Sequence, residues 1–153
     1  MNKEMKILGV APYIAAPTFL YLGLTIIISL LAGNMFITSN SGYSILEAAG
    51  IVLIVIGTLM VISCARKLLK SFNGGKLMTD GLYRIFRNPM YAAYLIFIIP
   101  GICFLFNSWL ALTTVIFNYI LFNIFIKREY LYLQEKFGEE YDEYLNKVLF
   151  KFL

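Results

Sequence analysis

Glu129 is the residue whose type and position most invite chemistry. It lies four residues before Leu133 and eight before Phe137, on the apolar stripe of a helical tail. A carboxylate there needs a partner or a ligand, because an isolated buried charge is costly. Two readings stand side by side: an ion pair with Arg87, Lys127 or Arg128, or recognition of a cationic or hydroxyl-bearing ligand. The rest of the inventory is restrictive. The chain contains no His, which excludes a Ser-His-Asp triad, a Cys-His pair and a histidine metal site, and no metal is expected. Cys64 and Cys103 lie inside apolar runs and read as small packing residues.

The elements that must position Glu129 follow from the charge pattern. Of 153 residues, 60% are apolar and 14% charged, with 13 Lys+Arg against 9 Asp+Glu, and the mean hydropathy is +0.77. A soluble domain of this size could not hide so much apolar surface. No charge occurs from Ile7 to Leu46 or from Asn88 to Ile126. With about 20 apolar residues needed per crossing, these runs predict an all-α integral membrane protein with four transmembrane helices, at about 10–33, 45–65, 89–106 and 109–126. A polar loop at Asn34 to Tyr43 separates the first two, and Ser44-Ile45-Leu46-Glu47 reads as a capping box. Asn107-Ser108 breaks the last run into a short hairpin whose arms span roughly 27 Å, with Pro100-Gly101 expected to kink the first arm.

The 13 Lys and Arg residues fall before the first helix, between the second and third, and after the fourth. By the positive-inside rule both termini are cytoplasmic and the chain belongs in the plasma membrane. Topology explains the basic balance, so no nucleic acid is expected as a partner. The chain reads as a single domain over 1–153. Gly23, Gly33, Gly50 and Gly57 could serve packing against another copy in a homo-oligomer.

Two cytoplasmic segments carry the remaining information. Arg66 to Met90 contains turn signals at Asn73-Gly74-Gly75 and Thr79-Asp80-Gly81 among basic and aromatic residues. In the tail, 127–148, Tyr130, Leu133, Phe137, Tyr141, Tyr144 and Val148 recur at helical spacing, with Glu135, Lys136, Glu139, Glu140, Asp142 and Glu143 on the other side. This predicts an amphipathic helix continuing from helix four and covering a pocket with the loop.

Together the segments resemble the isoprenylcysteine carboxyl methyltransferase and phospholipid N-methyltransferase superfamily of small integral membrane enzymes. The first signature is Leu77-Met78-Thr79-Asp80-Gly81-Leu82-Tyr83-Arg84-Ile85-Phe86-Arg87-Asn88-Pro89-Met90-Tyr91; the second starts at Glu129 and runs through Phe137-Gly138 to Tyr141 and Tyr144. The resemblance covers about Lys76 to Val148. It implies S-adenosylmethionine as cofactor, with S-adenosylhomocysteine as product. By position it assigns Lys76, Leu77, Met78, Tyr83, Arg87, Asn88, Pro89, Met90, Tyr91 and Glu129 to the cofactor, with Arg87 and Glu129 catalytic. Glu129 would hold the cofactor's polar end. Methyl transfer from a sulfonium needs alignment and desolvation more than a general base, so the lack of His is no objection. Aromatic faces suit the sulfonium cation.

The chain departs from the family pattern at three places. Asn88 stands where the family has His, and Tyr130 where it has a second Glu. Phe125 stands where the prenylcysteine enzymes have an Arg that holds the substrate carboxylate. The expected acceptor is lipophilic or amphiphilic: an isoprenylcysteine carboxylate, a phospholipid amine or another membrane-soluble molecule. Asn118 and Arg128 are candidate substrate contacts, alongside Asn123 and Lys127. Two alternatives from other classes are an NAD(P)H-dependent reductase of the steroid-reductase-like class and a non-catalytic scaffold or transporter.

Overall fold

A computed structural model describes residues 9–39, 41–72 and 76–151. The turn expected at Asn73-Gly74-Gly75, and the basic residues Lys3 and Lys6, lie outside the described residues. Among the described residues seven α-helical segments follow one another: α1 (Ala11–Leu31), α2 (Tyr43–Phe72), α3 (Leu82–Ile85), α4 (Pro89–Ala92), α5 (Ile99–Leu105), α6 (Trp109–Phe137) and α7 (Glu139–Lys147). A π-helical segment, Ala93–Ile98, joins α4 to α5 in one rod. Among the described residues three helices are long and apolar enough to cross a membrane: α1, α2 as far as Leu69, and α6. Their apolar side chains are mostly exposed, such as Leu20 and Leu24 on α1, Val52 and Leu59 on α2, and Ile116 and Ile124 on α6. Such faces suit hydrocarbon as solvent, and they mark a membrane protein. The rod Pro89–Leu105 is shorter, about 25 Å at 1.5 Å per residue.

Several expected boundaries move. Helix α2 begins at Tyr43, with the carbonyl of Gly42 accepting from the amides of Ile45 and Leu46. Ser44 therefore sits inside the first turn, and the Ser44–Glu47 capping box does not form. The same helix runs past Ala65 to Phe72. The kink expected at Pro100-Gly101 takes the form of the π turn just before it. Pro100 has no N–H to continue the ladder, and a widened turn relieves that break. The expected continuation of helix four into the tail is seen as far as Phe137, where α6 ends; the break that was not expected falls at Gly138, whose φ of 49° suits glycine.

The Asn107-Ser108 break is as expected, and its mechanism is visible. Asn107 adopts a left-handed φ of 48°, which Asn tolerates better than most residues. Ser108 then caps α6, its hydroxyl accepting from the Ala111 amide at 3.1 Å. The Asn107 side chain also grips Ser39 in both directions, at 3.0 and 2.7 Å. This turn thus ties the uncharged loop after α1 to the α5–α6 hairpin.

Helix α1 packs along α6, and α2 packs along the α4–π–α5 rod. The second contact is intimate because Gly50 and Gly101 face each other: a Cβ on either would lie 2.8 Å from the other's carbonyl oxygen. Gly57 is similarly closed in by Phe97 and Ile98. Gly50 and Gly57 therefore serve packing within the chain rather than a surface for a second copy. Gly101→Ala should lower stability by about 1–3 kcal/mol, the usual cost of overpacking. Gly23→Ala, which meets nothing within 4 Å, should not. Thermal unfolding of the two variants in detergent checks this pair.

Candidate cofactor pocket

The sequence Arg87-Asn88-Pro89 builds the first wall. Proline at the first position of α4 is preorganised for helix, and the residue before it is kept out of the helical region. Asn88 accordingly has φ −128° and ψ 71°. Arg87 is thereby presented toward the end of α6 and toward α7. Its Nε and Nη2 donate to Tyr141 Oη at 3.0 and 2.6 Å. Its guanidinium carbon lies 3.2 Å from the centroid of the Tyr130 ring. Next to it, Asn88 Nδ2 donates to Tyr130 Oη at 2.6 Å. Two departures from the family pattern, Asn88 and Tyr130, therefore meet each other.

The second wall is the tail. Leu133, Phe137, Tyr141, Tyr144 and Val148 pack together with Leu77 from the loop. The helical stripe read from sequence keeps one common face although Gly138 breaks the helix. Tyr144 Oη donates to the Tyr83 carbonyl at 2.8 Å. Burial raises the hydroxyl pKa of Tyr83 and Tyr144, and also that of Tyr141 against the pull of Arg87. All three are neutral at physiological pH. Beyond Val148 the chain pairs with the loop: the Phe150 amide donates to Ile85 O at 2.8 Å and the Arg87 amide to Phe150 O at 3.1 Å. The Phe86 and Phe150 rings stack at 5.2 Å. From the other side, Lys67 on α2 binds Asp80 at 2.6 Å and holds its carboxyl below the usual carboxylate range.

Under this roof lies a cavity of about 430 Å³, within the range of small-molecule sites, roughly 300–1,000 Å³. Its wall brings together Lys76, Leu77, Met78, Tyr83, Arg87, Asn88, Pro89, Met90, Tyr91 and Glu129. Glu129 receives a hydrogen bond from Tyr91 Oη at 3.1 Å, and the backbone of Val10, where α1 begins, acts on it electrostatically. The ion pairs among the described residues are Lys67–Asp80 and Lys147–Glu143. Arg87 acts electrostatically on Glu129 but spends its hydrogen bonds on Tyr141, and Lys127 and Arg128 are exposed. Of the two sequence readings, the direct ion pair does not form.

Asn118 also reaches the cavity, while Arg128 does not. Asn123 is exposed and donates to the Tyr119 carbonyl of its own helix at 2.8 Å. Sequence reasoning missed the α1 contribution, with Pro12, Ala15, Thr18 and Phe19 on the wall, and it missed Tyr94. Nothing in α1 but its two prolines and small residues hinted at a cavity. Lys136, assigned to the solvent side, lines the mouth, 5.4 Å from the Phe137 ring.

The fit to a sulfonium cofactor can be judged on these groups. A flexible zwitterion with hydroxyls and a flat base needs polar atoms at one end and apolar or aromatic walls elsewhere. Glu129, Arg87 and Lys76 supply the first; Tyr83, Tyr91, Tyr94 and Phe122 supply the second. The described residues fit the group.

Residues 45–140 match the family model described as phospholipid methyltransferase. The chain belongs to that family. It is also 41% identical over 76 residues to the probable protein-S-isoprenylcysteine O-methyltransferase of Oryza sativa subsp. indica, covering 48% of this chain and 38% of the rice protein. The protein of the same name in subsp. japonica gives the same figures. Protein-S-isoprenylcysteine O-methyltransferase B of Arabidopsis thaliana is 33% identical over 76 residues, covering 48% of this chain and 37% of its own length. The match thus spans less than half the length of these curated relatives. No solved structure matches the chain.

Arg87→Lys should loosen the roof, since an ammonium cannot both stack on Tyr130 and fork onto Tyr141. The expected result is faster amide hydrogen exchange across α7, with α1 and α2 unchanged.

Proposed function

We propose that the chain is an S-adenosylmethionine-dependent methyltransferase acting on a lipophilic or amphiphilic acceptor. On this reading residues 1–153 form one membrane-embedded domain that crosses the bilayer four times with both termini cytoplasmic. The observation that carries the proposal is Glu129: a carboxylate on the wall of an apolar cavity, between the two motif segments, with no cation within 4.0 Å among the described residues.

When bound, S-adenosylmethionine supplies a methyl group on a sulfonium sulfur, which leaves with the bonding pair as a neutral thioether. The chain's own residues do the rest. Glu129, oriented by Tyr91, would hold the cofactor's ammonium or hydroxyl groups. Lys76 and Arg87 would balance its carboxylate. Tyr83, Tyr91 and Tyr94 would set ring faces toward the cation, where aromatic quadrupoles are favourable. The roof of loop and α7 excludes water, which strengthens each of these interactions. No residue need act as a strong base, because alignment supplies most of the rate.

The relatives' names point to isoprenylcysteine and the family model to phospholipids, and the Phe125 position favours neither carboxylate capture nor its simple replacement. Phe125 stacks on Tyr13 of α1 at 5.9 Å, so an aromatic contact stands where a guanidinium clamp would be. Neither ring lines the cavity, and without a guanidinium at this position an acceptor that carries no carboxylate is the better match.

Calorimetric titration with S-adenosylhomocysteine tests the reading. The wild type should bind, and Glu129→Ala should weaken binding at least tenfold, with methyl label from the tritiated donor passing into a membrane lipid extract only in the wild type. Equal binding in both proteins would sink the site assignment; no binding to a folded wild type would sink the function.

A further inference from the structure

The cavity has a second polar pole that the cofactor reading does not use. Asn118 is 4% exposed and Thr18 2%, and both line the cavity wall together with Ile14, Leu95, Ile99 and Phe122. Thr18 Oγ1 donates to the Ile14 carbonyl at 2.7 Å, and it also leans on Asn118 Oδ1 at 3.4 Å. The Asn118 amide nitrogen has no hydrogen-bond partner among the described residues. One turn earlier, the hydroxyl of Thr114 is fully enclosed and also lacks a partner among them. An amide N–H group facing an apolar cavity without an acceptor costs free energy unless something fills that role.

Position separates this pole from the first. Asn118, Phe122 and Glu129 share one face of α6, and the eleven residues from Asn118 to Glu129 span about 16 Å. The charged side chains on the wall, Lys76, Arg87, Glu129 and Lys136, come from segments 76–87 and 129–136, at the roof end. Around Asn118 the wall is uncharged. A carboxylate or phosphate placed there would have no cation to meet, at a depth where charge is expensive.

We propose that Asn118 is the specificity-determining residue of an acceptor subsite, donating its amide N–H to an uncharged oxygen, of the ketone, ester or ether kind, on a lipid-soluble molecule. This deepens the methyltransferase reading and rests on it for the word acceptor, but the subsite itself is a binding claim. The acceptor's apolar body lies along Ile14, Leu95, Ile99 and Phe122, and Thr18, whose hydroxyl is committed to the Ile14 carbonyl and only leans on Asn118 Oδ1 at 3.4 Å, flanks the Asn118 amide without supplying the donor.

Three probes of one chain length separate the possibilities: methyl undecyl ketone, tridecane and tridecanoate. They are titrated calorimetrically into the protein in nanodiscs, with empty-disc blanks. The wild type should prefer the ketone to the other two by about tenfold, the size of one net hydrogen bond. Asn118→Leu should reduce the ketone to the level of tridecane while S-adenosylhomocysteine binding is unchanged. Thr18→Val should keep most of the preference, whereas a purely interhelical role for the pair would make both variants behave alike and overturn the proposal. Preference for tridecanoate would also overturn it. Should Asn118→Leu fail to fold, infrared spectroscopy of carbonyl-labelled ketone on the wild type decides: a shift to lower frequency on binding is expected, and no shift refutes. Ketone binding without S-adenosylhomocysteine binding would fell the methyl-donor reading and leave the subsite standing. The reverse would fell the subsite alone.

Discussion

The grip of Arg87 on two tyrosines organises the roof of the cavity. Its guanidinium carbon sits over the Tyr130 ring, toward the end of α6, and two of its nitrogens donate to Tyr141 of α7. One side chain from the loop thereby fixes both the last turns of a long helix and the helix that follows the break. The geometry requires a planar, permanently charged donor array, which Arg has and Lys lacks. The remaining roof contacts follow from this docking: Tyr144 on the Tyr83 carbonyl, and the pairing of Phe150 with Ile85 and Arg87. Without the roof, the cavity beneath would be an open groove between helices.

Much of this was legible in the residues, because lipid makes the pattern blunt. Uncharged runs give the helices, and the tail stripe from Tyr130 to Val148 gives the face that packs on the loop. The elements that escaped are those decided by tertiary contact. Gly138 breaks the tail because its backbone takes a left-handed turn, while the apolar spacing runs on undisturbed across it. The π turn over Ala93–Ile98 depends on what Pro100 removes and on the close approach of α2. The share of α1 in the cavity was invisible: Ala15 and Thr18 look like any small residues at a helix–helix contact. The Ser44–Glu47 box failed because the loop starts the helix two residues earlier, at Tyr43 rather than Ile45.

The Asn88–Tyr130 contact gives two departures from the motif a common explanation. A histidine and a carboxylate at these positions would form an ionisable pair. Asn and Tyr keep a hydrogen bond, at 2.6 Å, without carrying charge into a poorly hydrated wall, where burying an ion pair costs several kcal/mol per ion before attraction repays it. The exchange leaves the Tyr130 ring available to Arg87. The neutral pair is thus compatible with the same roof, and it leaves Glu129 as the acidic group on the cavity wall.

That arrangement bears on why an uncompensated carboxylate is tolerated. Arg87 spends its hydrogen bonds on Tyr141, and the Lys67–Asp80 pair anchors the loop from another direction. Glu129 takes no part in either contact. Its own hydrogen-bond support, the Tyr91 hydroxyl, is a neutral donor that softens its desolvation without neutralising it. A fold that wanted only stability would have closed Glu129 onto Arg87, since the two act on each other already. Here the tyrosines hold the cation, so the carboxylate stays available to whatever enters the cavity, and the roof can form whether or not the cavity is filled.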